Sequence, residues 1–362
     1  MLTYIKKYTG LVLITLAVFS QMTACNKIPE VEELNIAPPE GITIADVITN
    51  DPEYSLLKLA ASKAGLMPLL SNPSATLTLL APNNTGFSYA GISEAVINAL
   101  PAEQLGAILS YHIIAQKLPL ASIPTTFPNT EMPTLLQLPG APAIVKMNIF
   151  LQRGTPTFAN NIPFNDVPEV VAVNGIIHQM LTIVMPPSQV MLQALASDPD
   201  LTYLVAAITR ADLGLPEGSK FSQLLANPVT NFTLFAPVND AFRAIFPLLG
   251  LPSTDISMIQ YIPVNSLIGI LSYHLHVLDA LPPSNITFSR AFSDNLPRTP
   301  TPINTFLKLV NYPNPTPPLV IDGSRGVKGY VNPTYTHILK ADFNTVNGVY
   351  HKIDGILLPF MP

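Results

Sequence analysis

The sequence predicts an α+β protein built from two tandem copies of one domain, and three observations predict it. Four blocks recur in the same order, helical apolar spacing fills the first half of each copy, and strand-like segments punctuated by proline fill the second. Each copy is therefore expected to be a wedge or sandwich of β-strands with helices packed against it.

Composition bounds the reading. A chain of 362 residues has room for two ordinary domains. With 48% hydrophobic and only 11% charged residues it can bury large cores and is not a disordered chain. The net charge of −5 and 18 scattered Lys and Arg leave no basic footprint, so no nucleic-acid partner is expected. The 38 prolines, about twice the usual share, call for many edges and irregular loops. A single cysteine excludes disulfides within the chain and a cysteine-rich zinc site.

Residues 1–24 read as a secretory signal: Lys6 and Lys7 supply the positive start, and Leu11 to Phe19 form an apolar run too short to span a bilayer. Small residues then lead to the lone Cys25, in the segment Met22-Thr23-Ala24-Cys25. This resembles the lipobox of bacterial lipoproteins, with Met22 in place of the usual leucine. The resemblance implies an exported protein whose Cys25 is acylated and anchored in a membrane. Asn26 after the cysteine implies the outer membrane, with exposure at the cell surface as a further expectation. Residues 25–40 hold Pro29, Pro38 and Pro39 and no periodic apolar face, so they read as an extended tether.

The repeat begins after the tether. Asp51-Pro52-Glu53 returns as Asp198-Pro199-Asp200, and Thr76 to Pro82 returns as Asn231 to Pro237. Ile108-Leu109-Ser110-Tyr111-His112 returns identically as Ile270-Leu271-Ser272-Tyr273-His274. Val173-Asn174-Gly175 and His178 return as Val346-Asn347-Gly348 and His351. The offset grows from 147 (Asp198 against Asp51) to 173 (Asn347 against Asn174), as in a duplication with insertions in the second copy. The expected domains are 41–187 and 188–362, with a Pro-rich insertion near 281–320.

Each block has a structural reading. Asn50 or Asp51, and Ser197 or Asp198, can cap helices that carry proline in the first turn; Gly65 and Gly214 are natural stops. Thr76 to Leu80 alternate polar and apolar, as in a strand that Ala81-Pro82 ends. Helices are expected through Leu105–Tyr111 and Leu267–Tyr273, and closing strands through Ile176–Val184 and Val349–Leu358. Asn174-Gly175 and Asn347-Gly348 suit tight turns, because both residue types tolerate positive φ.

These residues resemble the fasciclin-like domain family. A strand ending Ala-Pro-x-Asn-x-x-Phe, a Tyr-His pair, and Asn-Gly-x-x-His before a closing Leu-Leu-Pro are its marks. Phe232 to Phe242 and Asn347 to Pro359 are similar to both signatures. The first copy departs from them at Thr85-Gly86 and at Met185-Pro186-Pro187. The resemblance covers roughly residues 41–362 and implies adhesion or matrix attachment. It also implies possible binding residues: the acidic position before Asn-Gly, matched by Glu169 and Asp342, and the Tyr-His segment, matched by Tyr111, His112, Tyr273 and His274. The competing expectation is a solvated acid and a buried Tyr-His pair.

Catalysis is not expected. There is no nucleophile elbow, phosphate-binding loop or zinc-protease helix motif, the acidic residues are few and scattered so that no paired carboxylates announce a glycosidase, and no cofactor is expected either. The histidines at equivalent places in both copies (His112, His178, His274, His351) suit structural roles or two copies of a site. His274 and His276 could share one strand face, but no acidic or cysteine partner adjoins them, so no metal is expected. The expected function is adhesion or scaffold-type binding at the envelope, to a protein or polysaccharide. The alternative is an accessory ligand-binding lipoprotein of an outer-membrane uptake system, which would show a well-formed pocket. Hydrolysis would require a buried histidine within hydrogen-bond reach of a serine or carboxylate.

Overall fold

Capping chemistry sets where the helices begin. In the computed structural model, which describes residues 40–138, 140–276, 290–308 and 317–360, Thr43 and Asp46 form a capping box at the start of helix Ile44–Asn50. Asp51 accepts the Glu53 N–H at 2.9 Å and opens the turn Pro52–Tyr54, which runs into helix Ser55–Lys63. Asp198 does the same for Asp200 at 3.0 Å, ahead of helix Thr202–Ala211. Gly65 leaves helix Ser55–Lys63 at φ +70°. Gly214 is also a stop, but without a positive φ. It ends a 3-10 turn, and a Cβ there would lie 2.4 Å from the Val264 side chain, so close packing requires the glycine. The signal segment, Cys25 and the tether up to residue 39 lie outside the described residues, as do 281–289 and 309–316 of the Pro-rich stretch.

The first copy has strands β1 (Leu77–Pro82), β2 (Ile113–Ile114), β3 (Thr130–Gln137), β4 (Lys146–Gln152), β5 (Phe158–Ala159), β6 (Ile162–Pro163), β7 (Val170–Ala172) and β8 (Gly175–Met180). They lie in the order β6-β5-β4-β3-β2-β1-β8-β7. The second copy repeats the centre of this sheet with β9 (Phe232–Pro237) and β10 (Leu275–His276), followed by β11 (Thr301–Ile303), β12 (Leu319–Asp322), β13 (Gly326–Lys328), β14 (Ile338–Thr345) and β15 (Gly348–Ile353). Its strands form the sheets β10-β9-β15-β14 and β11-β12-β13.

In both copies the first and last strands pair in parallel, Leu77 opposite Gly175 and Phe232 opposite Gly348. The expected alternation in β1 gives way to burial of all six residues, and Ala81-Pro82 belong to the strand. The reason is a core on each face. Leu77, Leu79 and Ala81 pack against the helices, and Leu80 packs into a second cluster with Met132 and Ile149. Thr78 shares that second face because its hydroxyl donates to Gln116 O at 2.6 Å and accepts Leu118 N–H at 2.9 Å.

The Asn-Gly blocks do form turns, but neither uses the positive φ expected of them. Asn174 Oδ1 accepts Ile44 N–H at 2.9 Å, and its Nδ2 donates to Leu70 O and Asn72 O at 2.8 and 3.0 Å. Asn347 repeats this with Met191 N–H, Leu225 O and Asn227 O at 2.7, 3.0 and 3.0 Å. The glycines are needed for close approach instead: a Cβ on Gly175 would meet Leu77 O at 2.3 Å, and one on Gly348 would meet Phe232 O at 2.4 Å. The closing strands stop at Met180 and Ile353, short of the expected Val184 and Leu358. Further on, Val184 N–H and Leu357 N–H donate to His112 and His274, the histidines at the ends of the preceding helices.

The described flanks of the Pro-rich stretch are core: Ala291, Phe292, Leu296, Ile303 and Leu307 join Phe235 and Tyr273, or in the case of Phe292 meet Phe150. The two copies meet at Arg290. Its buried guanidinium donates to Asn231, Asn344, Thr345 O and Val346 O at 2.6–2.8 Å and lies 4.8 Å over the Phe150 ring. Asn129 Nδ2 of the first copy donates to Arg290 O at 2.6 Å.

Asn347→Ala should leave two buried backbone groups, Met191 N–H and Leu225 O, without that partner and lower stability by about 3 kcal/mol. The shift of the urea midpoint of the full chain measures it; a change under about 1 kcal/mol would mean that water replaces the amide without loss.

Candidate binding site in the first copy

Tyr111, His112, Tyr273 and His274 are all fully buried. Val184 N–H donates to His112 Nε2 at 2.9 Å, so Nδ1 carries the proton and donates to Ile108 O at 2.8 Å. His274 does the same between Ile270 O and Leu357 N–H, at 2.8 and 3.0 Å. Burial pushes both imidazoles down to about 4, so they stay neutral at physiological pH. Tyr111 donates to Asn148 O and accepts from Asn160; Tyr273 donates to Pro318 O and accepts Tyr330 N–H. In this arrangement each Tyr-His pair knits a helix to the strands and to the closing segment. His276, one residue into β10, bonds Asn304 O at 2.7 Å, so it shares no ligand position with His274. Among the described residues no group of three metal-ligating side chains occurs.

The acidic positions each stand beside the histidine of the closing strand. His178 Nε2 donates to Leu118 O at 2.8 Å, and Glu169 accepts Leu120 N–H at 2.7 Å. The equivalent His351 Nε2 donates to Ala291 O at 2.7 Å, and Asp342 accepts Ser293 N–H at 2.8 Å and also bonds the Ser293 hydroxyl. In both copies the carboxylate is 3.8 Å from the imidazole Nδ1, beyond hydrogen-bond reach. Burial lowers the pKa of both histidines, against the pull of the neighbouring carboxylate, so both are neutral.

The copies differ at that Nδ1. His351 Nδ1 accepts the Asp342 N–H at 3.1 Å, because Asp342 sits at φ +65° where the pairing of β14 with β15 slips register. Such a bulge turns the backbone N–H inward. β7 pairs with β8 without a slip, and His178 Nδ1 makes no hydrogen bond within the described residues. His178 lines a cavity of about 300 Å³ together with Leu120, Pro156, Phe164 and Val167 and with Asn165, Glu169 and Gln179. Phe164 packs against the imidazole with ring centres 5.2 Å apart. The cavity opens beside the sheet edge β7, where Val167, Val170 and Val171 are 48%, 38% and 66% exposed.

Of the six residues singled out for binding, four are therefore interior, Asp342 is almost enclosed at 10% side-chain exposure, and Glu169 alone borders open space at 28%. The part His178 plays beside it was not visible in the sequence. The signals that could have found it are the differences between copies: Glu169 against Asp342, and Leu80 in the register position where Phe235 stacks on His351.

Fold and site together define a tandem pair of α+β modules whose shared polar residues serve the fold, with a cavity beside the closing-strand histidine of the first copy. A family model described as Fasciclin domain matches residues 52–186 and again 201–359, and the chain belongs to this family. The transforming growth factor-beta-induced protein ig-h3 of Sus scrofa is 26% identical over 241 residues, 66% of this chain and 32% of that protein. Human periostin is 24% identical over 349 residues, 92% of this chain and 35% of that protein. The chain thus spans about a third of the length of these two relatives. An uncharacterized Synechocystis protein is 25% identical over 144 residues, 39% of this chain and 96% of its own length. Among solved structures, a FAS1 domain pair from the insect cell adhesion molecule Fasciclin I is 17% identical, with a TM-score of 0.34, covering 87% of this chain and 95% of that one. No helix among the described residues is long and apolar enough to cross a membrane.

His112 and His274 generate a pH dependence. With folded values of about 4 against the ordinary 6.5, the unfolded chain binds more protons between those pH values, so stability is full above about pH 6.5 and falls as pH drops toward 4. Each histidine should contribute about 3 kcal/mol to that loss. Urea titrations from pH 7.5 to 4 measure it, and His274→Gln should flatten the slope.

Proposed function

We propose that this protein is an adhesion-type binding protein at a bacterial cell surface, held in the membrane by acyl chains on Cys25 and engaging a protein or polysaccharide through its first copy. The observation that carries the reading is the exposed apolar run of Val167, Val170 and Val171 around Glu169, leading into and along strand β7, which has no further strand beside it among the described residues. Exposed apolar side chains at an open sheet edge are what a partner covers. Membership of the fasciclin domain family supports the same role. The reading assigns no catalytic step, since neither closing-strand histidine reaches its carboxylate, each pair standing 3.8 Å apart. The second reading, an accessory ligand-binding lipoprotein beside an uptake system, is favoured by the cavity of about 300 Å³ next to the same edge.

Two experiments test the proposal. Cys25→Ser should release the protein from the membrane fraction of its host; retention there would refute lipid anchoring. Beads coated with the full chain should adhere to cells or to immobilised envelope polysaccharide. The double substitution Val170→Lys and Val171→Lys should reduce that adhesion at least about tenfold with an unchanged melting temperature, as charge on an edge strand repels pairing. Undiminished adhesion of that variant would move the binding surface elsewhere.

A further inference from the structure

The two copies use one histidine in two ways, and the difference has a chemical consequence. In the second copy His351 is fully saturated, Nε2 by Ala291 O and Nδ1 by the Asp342 N–H. In the first copy Nε2 is committed to Leu118 O, which fixes the proton there and leaves Nδ1 an acceptor. His178 is only 3% exposed, so this acceptor can be met only through the cavity that His178 lines. An acceptor at the wall of an open cavity is hydrated until a ligand hydroxyl replaces the water.

We propose that this cavity is a carbohydrate site that holds a single sugar ring, with His178 Nδ1 and the Glu169 carboxylate accepting hydrogen bonds from two adjacent ring hydroxyls. The inference rests on the binding role proposed above and names the ligand class. The two acceptors lie 3.8 Å apart, a separation that neighbouring hydroxyls of a pyranose can span while each donates a bond of ordinary length. The Glu169 oxygen at that distance, Oε2, also accepts the Leu120 N–H at 2.7 Å, which fixes the carboxylate at the cavity wall and leaves that oxygen a second lone pair for a ligand hydroxyl. The remaining polar lining is mostly neutral (Thr155, Thr157, Asn165, Gln179), and the one other charge, Asp166, is exposed to solvent. Such a lining gives and takes hydrogen bonds without demanding a counter-charge. Leu120, Pro156 and Phe164 supply the apolar surface that the C–H face of a sugar covers. A volume of about 300 Å³ is at the small end of ligand sites and suits one ring rather than a long chain buried whole. The first copy would then grip a terminal or protruding residue of a polysaccharide, with the apolar edge β7 beside it.

The test uses the full chain in detergent and saturation-transfer NMR with methyl glycosides of glucose, galactose, mannose and N-acetylglucosamine, alongside n-butylamine as a cationic probe. At least one glycoside should receive saturation. Its affinity should fall at least about tenfold in Glu169→Gln and in Val167→Trp, the latter plugging the cavity mouth from an exposed position, while melting temperatures hold. Three results would overturn the inference: no glycoside binding, binding of butylamine alone, or glycoside binding indifferent to both substitutions. A chain that adheres to surfaces yet binds no glycoside would sink the sugar site and spare the adhesion reading; a chain that does not adhere sinks the adhesion reading itself.

Discussion

The side-chain amide before each closing strand is the constraint on which the rest of a copy depends. A parallel pair of strands cannot be joined by a short turn, so nearly the whole domain lies between β1 and β8, and again between β9 and β15. The closing strand must then find its register from tertiary contacts. Asn174 supplies them by holding the start of the first helix and the loop at Leu70–Asn72 with one amide, and Asn347 repeats the device. The adjacent glycine lets the strands approach, since a Cβ would collide with the facing carbonyl. Once that register is set, His178 and His351 are carried to the same place beside their acidic neighbours.

What the two copies do with that place depends on one bulge. The register slip in β14 presents the Asp342 N–H to His351, and the aromatic ring of Phe235 stacks on the imidazole. In the first copy a straight β7, a longer acid and Leu80 leave the histidine at the wall of a cavity. Duplication has thus kept the scaffold in both copies while the first holds a cavity at the position the second fills.

The join between copies rests on a buried cation. Arg290 has no carboxylate at salt-bridge distance among the described residues, but carbonyl and amide oxygens of the second copy accept four hydrogen bonds from it and the Phe150 ring of the first lies under it. A desolvated guanidinium satisfied in this way is strongly position-specific, because moving either copy would strand its donors. Burial lowers its pKa to about 10, which still leaves it charged at neutral pH. Asn129, Phe127 and Phe292 add contacts across the same join, so the two copies behave as one body.

Much of this was legible in the chain itself. Duplication, the helix starts at Asp51 and Asp198, the Tyr-His helices and the α+β order follow from local chemistry and self-similarity, which need no partner in space. Burial of β1 on both faces did not follow, because alternation in Thr76–Leu80 reports only one-sided cores, and Thr78 is buried through hydrogen bonds that sequence does not display. The glycines of Asn-Gly suggested turn geometry, whereas their need arises from a strand about a hundred residues away in sequence, Gly175 against Leu77. The candidate site was half visible: Glu169 could be named from its motif, but the vacant acceptor on His178 depends on which backbone N–H reaches it. By itself, then, the sequence determined the repeated elements and the residues shared by both copies. Only the tertiary structure decided which of two equivalent histidines is left at the wall of a cavity, because that turns on strand register and a single bulge, and neither is a local property of the chain.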